Sequence, residues 1–201
     1  MQKNTPMKQI DKIIFILFLF ISCKENKEDE FEIYYNTIND SINTVQYTYT
    51  ALVTCEYPYP NDSSASIYVD IDGDTINDFY FQKFHYLANF GGRCAVTIHT
   101  GYLKAINSEF SIAKLNNDCL KAFERDEFIN DTNKWESEGV IYSNFIGCNC
   151  YSNFFIGFKK EKNEIINYGW LKVKSSDSKL VIYDYAYNNI SNNGIYAGQI
   201  K

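Results

Sequence analysis

Four aspartates fall within nine positions of the segment YVDIDGDTINDFYF, residues 68–81: Asp70, Asp72, Asp74 and Asp78. Carboxylates are hard oxygen donors, and calcium is the cation that takes six to eight of them. An EF-hand-type loop draws ligands from positions 1, 3, 5, the carbonyl of 7, and 9, with glycine at 6 and a bidentate glutamate at 12. With Asp70 as position 1, the pattern continues through Asp72, Asp74, the Ile76 carbonyl and Asp78. It departs at position 6, where Thr75 is β-branched and ill suited to positive φ, and at position 12, where Phe81 offers no carboxylate. Two readings stand: a weakened Ca²⁺ loop of the roughly 10⁻⁴–10⁻³ M class that an extracellular setting fills, or an acidic turn in solvent.

Cys23 poses a second chemical question. Residues 1–12 carry three lysines, and Ile13–Ile21 is an apolar run too short to span a bilayer as a helix. Ser22 and then Cys23 end that run in a way that resembles the lipobox of bacterial lipoproteins, although Phe20 stands where leucine is usual. The resemblance implies a signal peptide over residues 1–22, a lipid-modified Cys23 as the mature N-terminus, and a cell-envelope location, at the outer membrane on its periplasmic or cell-surface face. Several acyl chains hold a protein on a membrane where one alone is marginal. The other reading is a signal anchor with an incidental cysteine. The stretch behind Cys23, KENKEDEFEIYYNTIND, begins charged and poor in aliphatic residues, which suits a tether over residues 23–40. Its acidic run also resembles an export signal for surface lipoproteins, and an ordinary solvated linker explains it equally.

Five further cysteines, Cys55, Cys94, Cys119, Cys148 and Cys150, and two histidines, His85 and His99, remain. An exported chain is free to form disulfides, but an odd count leaves one thiol over and spacing does not fix the pairing. The GCNC pair with a histidine suggests zinc, and a histidine beside a thiol suggests a nucleophile. One tight cysteine pair is a thin basis for either, and structural disulfides with packed histidines account for the same residues. There is no GxSxG, HExxH or glycine-rich phosphate loop. A glycosidase carboxylate pair assembled from distant positions stays open. So does a sugar platform of exposed rings, for which Trp170, Tyr183, Tyr185 and Tyr187 are the candidates, although a buried face explains these rings just as well.

The elements that position these groups read as strands. Aromatics make up 17% of the chain, which favours sheet. The net charge of −6, more negative once residues 1–22 are removed, argues against nucleic acid as a partner. Residues 45–54 alternate apolar and polar, and SIYVDI, DFYFQKF, CAVTIHT, EFSIAKL, VIYSNFI, NFFIGFKK, GWLKVKSS and KLVIYDYAY follow at short spacing. Leu171 and Val173 are expected on one strand face with Leu180 and Ile182, across a turn at SSDS. Residues 115–139 lack a clean period and read as a long loop with at most one short helix. The expected fold is an all-β antiparallel sandwich, jelly-roll-like, as one domain over residues 41–201.

The ordered set DIDGDTINDF, FFIGFKK, YGWLKV, YDYAYNN and AGQ is similar to that of a group of bacterial surface or secreted proteins of unknown function. The resemblance implies that the acidic segment is akin to the calcium loops of thrombospondin type 3 and dockerin-like repeats, and that YGW lies in a β-hairpin near the C-terminus. It implies no catalytic residue. The expected protein is a lipid-anchored envelope module with a structural or binding role toward an unknown protein or glycan ligand. The alternative is an envelope enzyme acting on glycans, or a carbohydrate-binding module.

Overall fold

The computed structural model describes residues 33–43, 53–54, 63–88, 95–115, 117–143, 146–149, 152–175 and 179–201. The described residues form antiparallel sheets, none closed into a barrel, and contain no helix. One sheet has the path β1 (Ile33–Asn43), β14 (Lys179–Asn188), β13 (Ile165–Ser175), β12 (Ser152–Lys162), β6 (Phe110–Lys114), β9 (Lys134–Glu136), with β7 (Ala122–Phe123) also paired to β12. The other runs β11 (Cys148–Asn149), β10 (Glu138–Ser143), β5 (Ala95–Ala105), β4 (Phe79–Ala88), β3 (Ser63–Val69), with β2 (Val53–Thr54) paired to β5. A ribbon of β8 (Phe128–Ile129) and β15 (Ile195–Tyr196) completes the set. The sheet begins inside the expected tether: Ile33, Tyr34 and Tyr35 pair with Asn188, Tyr187 and Ala186. The strand expected at residues 45–54 is described only at Val53 and Thr54; the rest of it, and most of the YPYPNDSS turn, lie outside the described residues.

Apolar side chains from the facing sheets make one core. Val69, Phe79, Phe81 and Leu103 come from one sheet, and Ile112, Ile156, Phe158, Leu171, Val173, Leu180 and Ile182 from the other. The last four share the inner face as alternation predicts. Tyr185 and Tyr187 have the opposite parity, yet Tyr185 is buried in the same core and Tyr187 packs against it. The reason is a bulge at Tyr183, where Lys172 faces Asp184 but Val173 faces Ile182. One inserted residue turns the rest of the strand over.

The seven-stranded sheet is covered on its outer face as well. Phe123, Ile129, Phe155, Tyr168, Trp170, Ile195 and Ala197 form a second cluster there. Trp170 is therefore core, 1% exposed, with its indole N–H donating to the Gln199 carbonyl at 3.1 Å. It does not belong to an exposed ring stripe, and neither does Tyr185. Packing on the opposite, inner face explains the glycine of YGW. A Cβ on Gly169 would come within 2.2 Å of the Phe158 ring and 2.6 Å of the Ala186 carbonyl. Residues 115–139, expected as a long loop with at most one short helix, contribute β7, β8, β9 and the start of β10. Tertiary pairing and burial of Leu120, Phe123 and Ile129 override the local helix preference of CLKAFERDEF. A disulfide joins Cys119 to Cys148.

Candidate metal centre

The acidic segment bridges β3 and β4 at the point where their ladder closes, Val69 opposite Phe79. Two residues pin it. Ile71 is buried at the margin of the core, and Asp78 is fully buried, its N–H donating to the Val69 carbonyl at 2.9 Å. Between them the chain folds on its own carboxylates, as short acidic side chains do in turns. Asp70 Oδ1 accepts from the Gly73 amide at 2.7 Å and Oδ2 from the Thr75 amide at 2.9 Å. Asp72 Oδ1 accepts from the Asp74 amide at 3.2 Å, and Asp74 Oδ1 from the Ile76 amide at 2.8 Å. Asp78 Oδ2 accepts from the Ile71 amide at 2.8 Å and Oδ1 from the Asn107 side chain at 2.9 Å.

This winding brings one carboxylate oxygen each of Asp70, Asp72 and Asp78 within 4.8 Å of one another. Oxygens on opposite sides of one calcium ion, each 2.3–2.6 Å from it, lie about 4.6–5.2 Å apart. The spacing therefore suits a shared cation, and an all-oxygen donor set suits a hard one. Asp74 is not in that group; it is exposed and serves the turn, and Ile76 points its side chain to solvent. Gly73 and Thr75 both adopt positive φ, 75° and 73°. Position 6 thus has the backbone conformation the ion loop demands, adopted by threonine where glycine is the rule.

A side chain from across the sandwich completes the electrostatics. Lys160, on β12, sets its ammonium against Asp72 Oδ2, lies 4.0 Å from Glu109, and passes over the Phe110 ring. Burial works to raise the Asp72 carboxyl, but Lys160 and the Asp74 amide outweigh it and hold the group below its ordinary range. Asp78 moves the other way: burial lifts it, against the Ile71 amide and Asn107, with the Asp72 and Asp70 charges adding to the rise. The cluster holds one carboxylate that favours its charge and one that resists it, and a cation would relieve the second.

Lys160 and Asn107 are the site residues that sequence spacing did not suggest. Lys160 stands 88 positions from Asp72, and nothing local marks either residue. The remaining candidates resolve differently. Cys148 bonds to Cys119 and so is no zinc thiolate. His85 and His99 face each other across β4 and β5 with stacked rings 4.5 Å apart. Cys23, Cys55, Cys94 and Cys150 lie outside the described residues. No family model, curated protein or solved structure matches the chain.

Proposed function

We propose that this chain is a cell-envelope β-sandwich, held at a membrane through lipid on Cys23, with a structural or binding role, and that its 70–78 loop binds calcium. The observation that carries the cation reading is the convergence of Asp70, Asp72 and Asp78 to within 4.8 Å. The left-handed backbone at Thr75, adopted against the preference of a β-branched residue, supports an ion-loop winding. Calcium is favoured over magnesium because it accepts irregular oxygen geometry, whereas magnesium demands a tight octahedron and gives up water reluctantly. The anchor rests on the leader and lipobox pattern that ends at Cys23.

The test is the melting temperature of the full-length protein in detergent. Calcium at ten times its Kd stabilises by about 1.4 kcal/mol, a rise on the order of 3–5 °C for a domain of this size. Asp70→Asn with Asp72→Asn should abolish that rise, and magnesium should do less. An unchanged melting curve at several millimolar calcium rejects the site.

A further inference from the structure

A second concave surface lies on the seven-stranded sheet. It is an open groove of about 560 Å³, within the range of small-ligand sites. One wall is Trp135 on the edge strand β9, whose ring packs against Tyr168 at 5.7 Å. Ser111, from the neighbouring β6, also lines it, as do Glu109, Glu136, Glu161 and Glu164. The Trp135 indole N–H and the Ser111 hydroxyl are shielded from solvent and have no hydrogen-bond partner among the described residues. Such orphaned groups are uncommon and costly in a folded chain.

The carboxylates crowd together without making the groove strongly anionic. Glu161 is paired with Lys159 at 2.8 Å, Glu136 with Lys134 at 3.2 Å, and Glu109 with Lys162 at 2.9 Å. A carboxylate offers about four acceptor positions, and one ammonium contact uses only part of them. The groove is therefore nearly balanced in charge, rich in hydrogen-bond acceptors, and walled by one aromatic ring. A neutral molecule with many hydroxyl donors and an apolar face to lay on that ring matches all three properties; a cation would have to compete with lysines already in place.

We propose that this groove binds a neutral saccharide, stacked on Trp135 and held through its hydroxyls by Glu109, Glu136 and Glu161. The proposal does not depend on the cation loop. Trp135 and Trp170 are the only tryptophans, and Trp170 is sealed in the second core, so indole fluorescence reports on the groove. Full-length protein, in a detergent without a sugar headgroup, is titrated with neutral hexasaccharides of glucose, mannose, xylose or N-acetylglucosamine. At least one should give a saturable change that raised salt leaves intact, since no net charge is paired. Trp135→Ala should abolish binding. Glu161→Gln, at an exposed position where folding is not at stake, should weaken it about tenfold, the scale of one hydrogen bond to a charged group. The proposal is overturned if no hexasaccharide binds at millimolar concentration, or if calorimetry finds binding undiminished in both variants. It is also overturned if spermidine binds in a salt-sensitive way where no sugar does.

Discussion

Lys160→Met tests the cation loop most directly, because it removes the ammonium that now serves Asp72 while keeping a side chain of similar reach over Phe110. The side chains are 20% and 12% exposed, so the pair lies between the surface case, worth about 0–1 kcal/mol, and the buried case, where losing one partner costs about 3–5 kcal/mol. A loss of about 2 kcal/mol follows, in line with a hydrogen bond to a charged group. In calcium-free buffer the variant should melt about 4–8 °C below the parent, given about 2–4 °C per kcal/mol at this size. In saturating calcium that gap should close. An ion entering the parent must first displace Lys160 from Asp72, whereas in the variant that work is already done, so about 2 kcal/mol returns as affinity, roughly thirtyfold in Kd. Calorimetric titration of both proteins with calcium reads this ratio. Equal or weaker affinity in Lys160→Met would refute Lys160 as the loop's internal counter-ion and place any bound cation elsewhere.

Other perturbations have equally definite outcomes. Replacing Cys119 and Cys148 with alanine opens a link of sequence separation 29, for which loop entropy predicts a loss of about 3–4 kcal/mol, read as a lower urea midpoint. Gly169→Ala drives a methyl into the Phe158 ring and the Ala186 carbonyl and should cost about 1–3 kcal/mol in the same assay. Acidification should weaken calcium binding, because Asp78, lifted by burial, takes up its proton before Asp72, which Lys160 holds down; a pH dependence unchanged in Asp78→Asn would exclude Asp78 as a ligand. In stability without calcium the two carboxylates pull oppositely. The Asp72 contribution, from a depressed group, is present above its unfolded value and fades as pH falls through the folded one, while that of Asp78 is present at low pH and fades as pH rises through its raised value. Cys23→Ser should lose acyl labelling and leave the membrane fraction or accumulate unprocessed; undiminished labelling would remove the anchor.

The strands were legible wherever one face is apolar and the other polar, as at Leu171 and Val173. They stay ambiguous where that contrast fails. Trp170 looks like an outward ring beside Lys172 because strands β12 to β14 are buried on both faces, and two-sided burial erases the alternation that marks an inside. Tyr185 hides behind a bulge, which no parity count foresees. Short β7 and β8 carry too few residues to show any period, and exist because Phe123 and Ile129 have a tertiary surface to cover. Within the acidic loop the spacing of the aspartates foretold which would meet, apart from Asp74. Thr75 looked unfit for left-handed backbone, yet adopts it at 73°, with its amide held by Asp70.

The pairing of β1 with β14 sets the order of events when the chain is made. Ile33 must find Asn188, so the strand that emerges early waits until nearly the whole polypeptide has appeared. Meanwhile β12, β13 and β14 can zip as successive hairpins, their contacts being close in sequence. Strand β1 thus has the longest wait between its own emergence and that of its partner, with its backbone edge and Tyr34 and Tyr35 open to wrong partners meanwhile. A chain that ends before residue 179 would carry β1 with no strand to receive it, and its fate would be capture by a chaperone or by another copy's open edge.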